Sequence, residues 1–372
     1  MLTIVNALVY RTEQRKFVPG TVTVEDGWIV KTDSQDERGE VVNAGGQYLV
    51  PGLVDAHTHG RISFDFDSAT TDQMIQMRKS YAMDGTTTLF PTIASAPFSQ
   101  ILTAIDRVKE AGFEGIHLEG RYLSEKRRGA HATHLLHPLD VEELEILLDR
   151  MQPLTVHLTC APEMDNGEAF VRKAIERGAT VSLGHSDAGY DEAIRAFEWG
   201  VTATTHTFNA LAPIHHRSPG SVTAAFLTDS VYCEIIADGF HLHPAIVSLT
   251  YRSKQPDHLV LITDSMSATG CEDGEYSIAG EKVFVRNGKA VNVEGAIAGS
   301  TITLYTAVRN LMRFAGISFE QAIPCATILP ARMLHIDRKV GSISVGKHAD
   351  LLLIDPENYE IRGIWQAGER IR

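Results

Sequence analysis

The chain has 372 residues, a formal net charge of −13, 44% hydrophobic residues and 22% charged ones. That length suits one large α/β unit with an appendage, and the acidic balance excludes a nucleic-acid partner while still allowing an anionic small molecule in a locally basic pocket. No apolar run reaches eighteen residues, the N-terminal stretch Met1-Leu2-Thr3-Ile4-Val5-Asn6 lacks the build of a signal peptide, and the four cysteines (Cys160, Cys233, Cys271, Cys325) are scattered, so no membrane span is expected and a cytoplasmic protein with reduced thiols is.

Residues 1 to about 50 contain short strand patterns at 2–10, 20–24 and 27–30, broken by turn residues. The last forty residues behave alike at 349–356 and 361–370, with 341–350 as the return path. The two ends are therefore expected to meet in a small β-sandwich domain, 1–50 plus 336–372, around a middle unit of 51–335. The middle alternates. Strand candidates are 53–59, 86–92, 114–120, 154–160, 180–186, 201–208, 231–238 and 258–265, and amphipathic stretches such as 140–148 and 190–197 lie between most of them. A helical region from about 301 to 333 follows. Eight βα alternations favour an α/β fold of the (β/α)8 TIM-like barrel type. An open doubly wound sheet competes, but it usually carries a glycine-rich phosphate fingerprint after its first strand, and none is present.

The chemistry-bearing residues sit at the ends of these strands. The apolar run 48–54 leads into Asp55-Ala56-His57-Thr58-His59. Side chains at i and i+2 of a strand share a face, so His57 and His59 emerge side by side, spaced to grip one ion. Glu119 ends the third strand, His185 the fifth, His206 lies on the sixth, Asp238 and His241 end the seventh, and Asp264 the eighth. In a closed barrel all these ends face one mouth. Imidazoles and carboxylates gathered there suit zinc or iron with a position left for water. Each residue alone has a plainer reading: Asp264 as a helix cap, Glu119 as a turn residue, His185 and His206 as satisfied core histidines. His117 is read as structural, alternating away from the neighbours of Glu119. Ligand-type residues at five separate strand ends are poorly explained as independent accidents.

With these segments in view, the chain resembles the amidohydrolase superfamily, and within it the N-acetylglucosamine-6-phosphate and N-acetylgalactosamine-6-phosphate deacetylases. The matching stretches are 51–60, His117-Leu118-Glu119-Gly120, Ala161-Pro162-Glu163, Gly184-His185-Ser186, 205–211, 237–241, Thr263-Asp264-Ser265-Met266 and Ala298-Gly299-Ser300-Thr301, nearly end to end. The resemblance implies that Glu119, His185 and His206 hold a principal divalent metal and that His57 and His59 hold a second, giving one or two ions, zinc or iron. The fourth strand, Thr155-Val156-His157-Leu158-Thr159-Cys160, lacks the lysine that other amidohydrolases carbamylate, which leaves the bridging role to Glu119. It further implies that Asp264 is the acid/base and that His131 stabilises the oxyanion. Ala130, His131, Asn209, Ala210, Arg217, His241, Ile297, Ala298 and Gly299 are the implied contacts to a phosphorylated N-acetyl amino sugar. Arg217 is implied to reach into the neighbouring subunit's site, hence a homodimer.

Two departures stand near the implied metal. Relatives usually have proline after Leu-Glu-Gly, where Arg121 stands here, and a glycine-rich stretch where this chain has Arg61-Ile62-Ser63-Phe64-Asp65-Phe66-Asp67. Both are expected to add cationic bulk and to bear on substrate choice. The implied activity is hydrolysis of the acetamide of an N-acetylhexosamine 6-phosphate, with the gluco and galacto forms undecided. Another amidohydrolase acting on a different N-acyl substrate is the competing reading, and a non-catalytic scaffold the more distant one.

Overall fold

A computed structural model of the protein describes all residues other than 34–38, 255, 279 and 280. Eight parallel strands form one sheet in sequential order: β1 (Leu53–Thr58), β2 (Thr86–Ala94), β3 (Gly115–Glu119), β4 (Thr155–Cys160), β5 (Thr180–Leu183), β6 (Ala203–Thr204), β7 (Tyr232–Ile236) and β8 (Leu259–Ile262). The first and last meet through the Thr58–Ser265 bridge, with Asp264 N–H donating to His57 O at 2.9 Å and His59 N–H to Ser265 O at 2.8 Å. That closes the barrel expected from the eight alternations.

Helices follow the strands: α1 (Thr71–Met83), α2 (Phe98–Glu110), α3 (Val141–Met151), α4 (Gly167–Glu176), α5 (Tyr190–Trp199), α6 (Gly220–Leu227), α7 (Pro244–Lys254) and α8 (Leu304–Ala315). Their ends are set locally. Thr70 and Gln73 form a capping box at α1, and the Asp140 carboxylate accepts from the N–H groups of Glu142 and Glu143 at α3, each such cap stabilising by about 1 kcal/mol.

The strands alternate, and the alternation positions the site. Outward residues such as Ile116, Leu118, Val156, Leu158, Val181 and Leu183 pack into the helix layer. Inward positions are strongly polar: Asp55 and His57 on β1, His117 and Glu119 on β3, His157 and Thr159 on β4, Ser182 on β5 and Glu234 on β7, all buried. Buried polar groups must be hydrogen-bonded, and a ladder meets that need. His117 bonds Thr92 Oγ1 at 3.1 Å and Thr159 Oγ1 at 2.8 Å, Thr159 bonds Thr205 at 2.8 Å, and Thr205 donates to Ser182 at 2.7 Å. The barrel interior is thus a hydrogen-bonded column beneath the rim.

Strands from both chain ends form the second, smaller unit. Leu2–Arg11, Lys16–Glu25, Trp28–Thr32, Glu40–Asn43, Tyr48–Pro51, Leu351–Ile354, Ile361–Gln366 and Glu369–Arg370 make one eight-stranded sheet. It curls around its own core of Ile4, Val9, Val22, Ile29, Leu49, Leu351 and Trp365, and its Trp28–Thr32 strand meets the 346–349 segment through Ile29 N–H to Lys347 O at 2.9 Å. The apolar run 48–54, read as one strand, serves two sheets. Tyr48–Pro51 pairs in the small unit, Gly52 turns the chain, and Leu53 begins the barrel. A Cβ at Gly52 would stand 2.1 Å from Thr87 Oγ1, so only glycine permits the approach.

Two further differences from the sequence expectation bear on the site. The sixth strand is two residues long, because the chain turns away at once and Thr204 and Thr207 hydroxyls bond at 2.7 Å across that turn. A three-stranded antiparallel sheet, Gly274–Ile278, Glu281–Arg286 and Lys289–Asn292, is inserted between β8 and α8. Among the described residues no helix is long and apolar enough to cross a membrane.

Candidate functional site

The C-terminal rim of the barrel brings together His57, His59, Glu119, His185, His206 and Asp264, residues up to 207 positions apart in hydrogen-bond or ion-pair range. His185, His206 and Asp264 lie two residues past β5, β6 and β8 with φ of 46°, 29° and 48°. That left-handed region is costly for residues with a Cβ. Here it carries the backbone off the strand while the side chain remains over the rim.

The two oxygens of Glu119 divide the histidines between them. Oε1 stands 2.8 Å from His206 Nε2 and 3.2 Å from His185 Nε2, which are 3.1 Å from each other. Oε2 stands 2.9 Å from His59 Nε2 and 3.2 Å from His57 Nε2, also 3.2 Å apart. Asp264 Oδ1 completes the second group at 3.3 Å from His59 and 3.5 Å from His57. Donors at ~2.1 Å from a tetrahedral ion lie roughly 3.4 Å from one another. Both sets have the edge lengths of slightly contracted coordination shells.

The hydrogen bonds behind the rings fix their tautomers. His185 Nδ1–H donates to Arg127 O at 2.8 Å, and His206 Nδ1–H to Asn209 O at 3.1 Å. Each ring therefore turns an Nε2 lone pair to the centre, and two lone pairs 3.1 Å apart attract a cation rather than each other. Charge gives the same answer. Burial works against it, but the Glu119 and Asp264 carboxylates hold His57 protonated well above its ordinary value. His59 is likewise pushed up to about 10, burial opposing and hydrogen bonds to Asp264 and Glu119 prevailing. In return, against burial, the charge on His57 holds Glu119 well below the carboxylate range, and His57 and His59 hold Asp264 down at about 2. Two buried carboxylates need two positive charges, which protons supply here and a divalent ion supplies equally. The donor set fits such an ion.

Around this floor lies a cavity of about 300 Å³ lined by His59, Glu119, Ala130, His131, His185, His206, Asn209, Ala210, His241, Asp264, Ile297, Ala298 and Gly299. His131 is kept neutral, its pKa lowered to about 3 by burial and then by His185. Its Nδ1 accepts from the Ser95 backbone N–H at 3.4 Å and faces Ser95 Oγ at 2.9 Å, so Nδ1 is the acceptor and the hydroxyl proton goes to His131. The ring then presents Nε2–H toward the cavity, 3.9 Å from Glu119 Oε2. His241 is oriented by Asp238 Oδ2 at 2.7 Å from its Nδ1.

Not every sequence expectation meets at this cavity. Arg217 lies on the exposed 213–218 loop, its Nη1 2.6 Å from His216 Nε2, and does not line the cavity. Arg121 turns away to Glu143 (3.0 Å) and the ring of Phe98, and Arg61 pairs with Asp84 over the ring of Tyr81. Neither adds cationic bulk to the cavity, contrary to expectation, because each finds a carboxylate and an aromatic face on the helix side. His117 shares the inward face of Glu119, two residues deeper; its distance down the barrel, not alternation, removes it from the cavity. Three contributors escaped the sequence reading. Ile278 lines the cavity from the inserted sheet, whose Asn287-Gly288 turn is a hairpin signal. Ser95 orients His131. Glu234, a lone carboxylate in the apolar strand Tyr232-Cys233-Glu234-Ile235-Ile236, was visible as an anomaly.

The class follows from comparison with known proteins. The profile of the amidohydrolase family matches residues 48–371, and the chain belongs to that family. It is 34% identical over 361 residues to the N-acetylglucosamine-6-phosphate deacetylase of Vibrio furnissii, covering 94% of this chain and 90% of that protein. It is 33% identical over 331 residues to the N-acetylgalactosamine-6-phosphate deacetylase of Escherichia coli O157:H7, 87% of each. Among solved structures, the N-acetylglucosamine-6-phosphate deacetylase of Pasteurella multocida superposes with a TM-score of 0.93 at 28% identity over 99% of both chains. A mutant of the Mycobacterium smegmatis enzyme, in complex with N-acetyl-D-glucosamine-6-phosphate, gives 0.91 at 30% identity over 99% of this chain and 98% of that one. Within the amidohydrolases, the chain stands among the N-acetylhexosamine-6-phosphate deacetylases.

Proposed function

We propose that the protein hydrolyses the acetamide of N-acetylglucosamine 6-phosphate to glucosamine 6-phosphate and acetate. Residues 51–335 form the catalytic unit, with 1–50 and 336–372 as the small β unit beside it. Glu119, His185 and His206 would hold one divalent ion, zinc or iron, and His57 and His59, together with Glu119, would hold a second. The observation that carries the reading is the division of Glu119, one oxygen to each histidine pair, at the floor of a cavity of about 300 Å³. That volume is at the small end of the ~300–1,000 Å³ typical of ligand sites, and suits one monosaccharide.

An ion held there would lower the pKa of a water to near neutrality and polarise the amide carbonyl. Asp264, ionised at neutral pH, accepts the proton of the attacking water and returns it to the departing amine. His131 donates its Nε2–H to the carbonyl oxygen as charge develops there. One acid/base contributes ~10²–10⁴-fold, or about 3–5 kcal/mol. One oxyanion donor contributes ~2.7–4 kcal/mol. Their sum of about 6–9 kcal/mol only reaches the bottom of the ~8–23 kcal/mol range of enzymic barrier reduction. Ion and phosphate binding must supply the remainder.

Among the described residues no lysine or arginine lines the cavity, yet a phosphate dianion calls for a guanidinium fork. This supports a homodimer in which Arg217 reaches the neighbouring site, while His241 and Asn209 hold the sugar phosphate from within. Four free cysteines, three of them buried, suit the reducing cytoplasm.

The test is acetate release from both N-acetylhexosamine 6-phosphates and their unphosphorylated parents, with metal content measured on the same sample. Strong preference for a phosphorylated substrate by metal-loaded protein is expected, and the better of the two sugars settles gluco against galacto. Equal turnover of the unphosphorylated sugars, or none of the four in metal-loaded protein, would overturn the reading.

A further inference from the structure

Three of the four rim imidazoles have a group standing behind them. For His185 and His206 it is a backbone carbonyl, at 2.8 and 3.1 Å from Nδ1. For His57 it is a carboxylate. Glu234 rises from the inward face of β7, wholly buried, and its Oε2 lies 3.9 Å from His57 Nδ1. Among the described residues neither atom has a hydrogen-bond partner. The other oxygen, Oε1, is bonded to His157 Nε2 at 3.1 Å, and His157 is held in turn by Thr180 Oγ1 at 2.8 Å. Glu234 is therefore anchored on one side and vacant on the side that faces His57.

An ionised carboxylate in the middle of a barrel is expensive unless it is paired. His157 alone answers only one of its oxygens. Two buried polar atoms that face each other across 3.9 Å, each without another partner among the described residues, form a hydrogen bond on a small movement of either ring or carboxylate. Such contacts are often long before a site is loaded and tighten afterwards. A histidine that ligates through Nε2 carries its proton on Nδ1, and a carboxylate is the partner that both fixes that tautomer and makes the ligating nitrogen more basic.

We propose that Glu234 is the positioning residue for His57: its Oε2 accepts the Nδ1–H of that ring, aims Nε2 at the ion and raises the affinity of the His57–His59 side of the site. The inference rests on the reading of His57 as a metal ligand. It gives the buried column under the rim a purpose beyond filling the barrel. The chain Thr180–His157–Glu234–His57 runs from the barrel wall to the ion, and it serves only one of the two histidine pairs. The two sides of the site are thus backed unequally, by neutral carbonyls on one and by a full negative charge on the other.

The test compares metal-loaded wild type with Glu234→Gln, which keeps the shape and the bond to His157 but removes the charge. Zinc affinity is read by chelator competition and stoichiometry by elemental analysis. The expected result is one ion stripped about 10–100-fold more readily, with the ion at Glu119, His185 and His206 retained and the melting temperature of the metal-free forms little changed. Unchanged zinc affinity in a folded variant overturns the proposal. So does His157→Asn weakening zinc as much as Glu234→Gln, since that assigns the effect to the column's integrity. A measurement on the unaltered protein covers a variant that does not fold. In zinc-loaded wild type, the His57 Nδ1–H should appear in proton NMR further downfield than the carbonyl-bonded Nδ1–H of His185 and His206, and its absence there overturns the proposal. Wild type that takes up no metal defeats the proposed function as well; wild type that takes it up, with Glu234→Gln binding it equally tightly, defeats this inference alone.

Discussion

If the phosphate is met by a guanidinium from a second copy, two damaged chains should repair each other. Arg217→Ala leaves its own cavity intact but deprives its partner's; Asp264→Asn disables its own cavity but still offers Arg217. Removing a charge-assisted contact of this kind costs ~1.5–3 kcal/mol, so Arg217→Ala alone should lose roughly 10–150-fold in kcat/KM on a phosphorylated substrate. It should lose little on an unphosphorylated N-acetyl sugar. Random pairing of the two variants in equal amounts puts about half the chains' dimers in the mixed form, each with one complete site of two, so about a quarter of wild-type activity should return in a C2 assembly. The structural basis is that residues 213–218 are all exposed and that the Arg217 guanidinium bonds His216 on its own loop and does not line its own cavity. The assay is acetate release from co-refolded or co-expressed, differently tagged chains. Activity equal to the sum of the two residual activities, in a mixture shown to contain hybrids, would refute the shared-site argument.

Asp264→Asn alone should retain metal, because Glu119 and four imidazoles remain, while turnover falls by about 10²–10⁴-fold; elemental analysis with steady-state kinetics checks both halves. Ser95→Ala frees the His131 ring to change tautomer, and should lower kcat with KM unchanged, by less than the ~10²–10³-fold expected of His131→Ala. Metal uptake should release protons. With His59 raised to about 10 from a usual 6.5, its stabilising effect on metal-free protein is complete below pH ~6.5 and is lost as pH rises through about 10. The melting temperature of the metal-free form should accordingly fall across that window while the loaded form does not follow it. Calorimetric heats of zinc binding at pH 8 should vary with the ionisation enthalpy of the buffer, and buffer-independent heats would contradict the protonation scheme.

The barrel strands were legible because strand patterns closed by turn residues alternate with amphipathic stretches, although the sixth is two residues long and not the whole of 201–208, and the rim donors because they stand at the ends of those patterns. Even His185, His206 and Asp264, which lie beyond their strands, were found this way, although their left-handed backbone was not foreseeable from residue type. The split of 48–54 between two sheets was hidden, since a single glycine inside an apolar run looks like part of one strand; what forces the break is the crowding of Thr87 against Gly52. The inserted sheet passed unread because its outer positions are charged and exposed, so that Gly274–Ile278 and Lys289–Asn292 carry little apolar alternation. The directions of Arg61 and Arg121 were beyond reach for a different reason. Sequence proximity to the metal-type residues says nothing of which side of the rim a long side chain takes, and that was decided by Asp84, Tyr81, Glu143 and Phe98.

The unusual backbone at His185, His206 and Asp264 has a thermodynamic corollary. A left-handed residue with a side chain costs roughly 1–2 kcal/mol against glycine in the same place, so three such residues tax a native state whose whole margin is about 5–15 kcal/mol. A chain relieved of its chemistry could recover that margin by losing these side chains. The molecule instead keeps its reactive groups on a rim held under tension, where an ion held by His185 and His206 would fasten two of the three strained corners of the barrel mouth to each other.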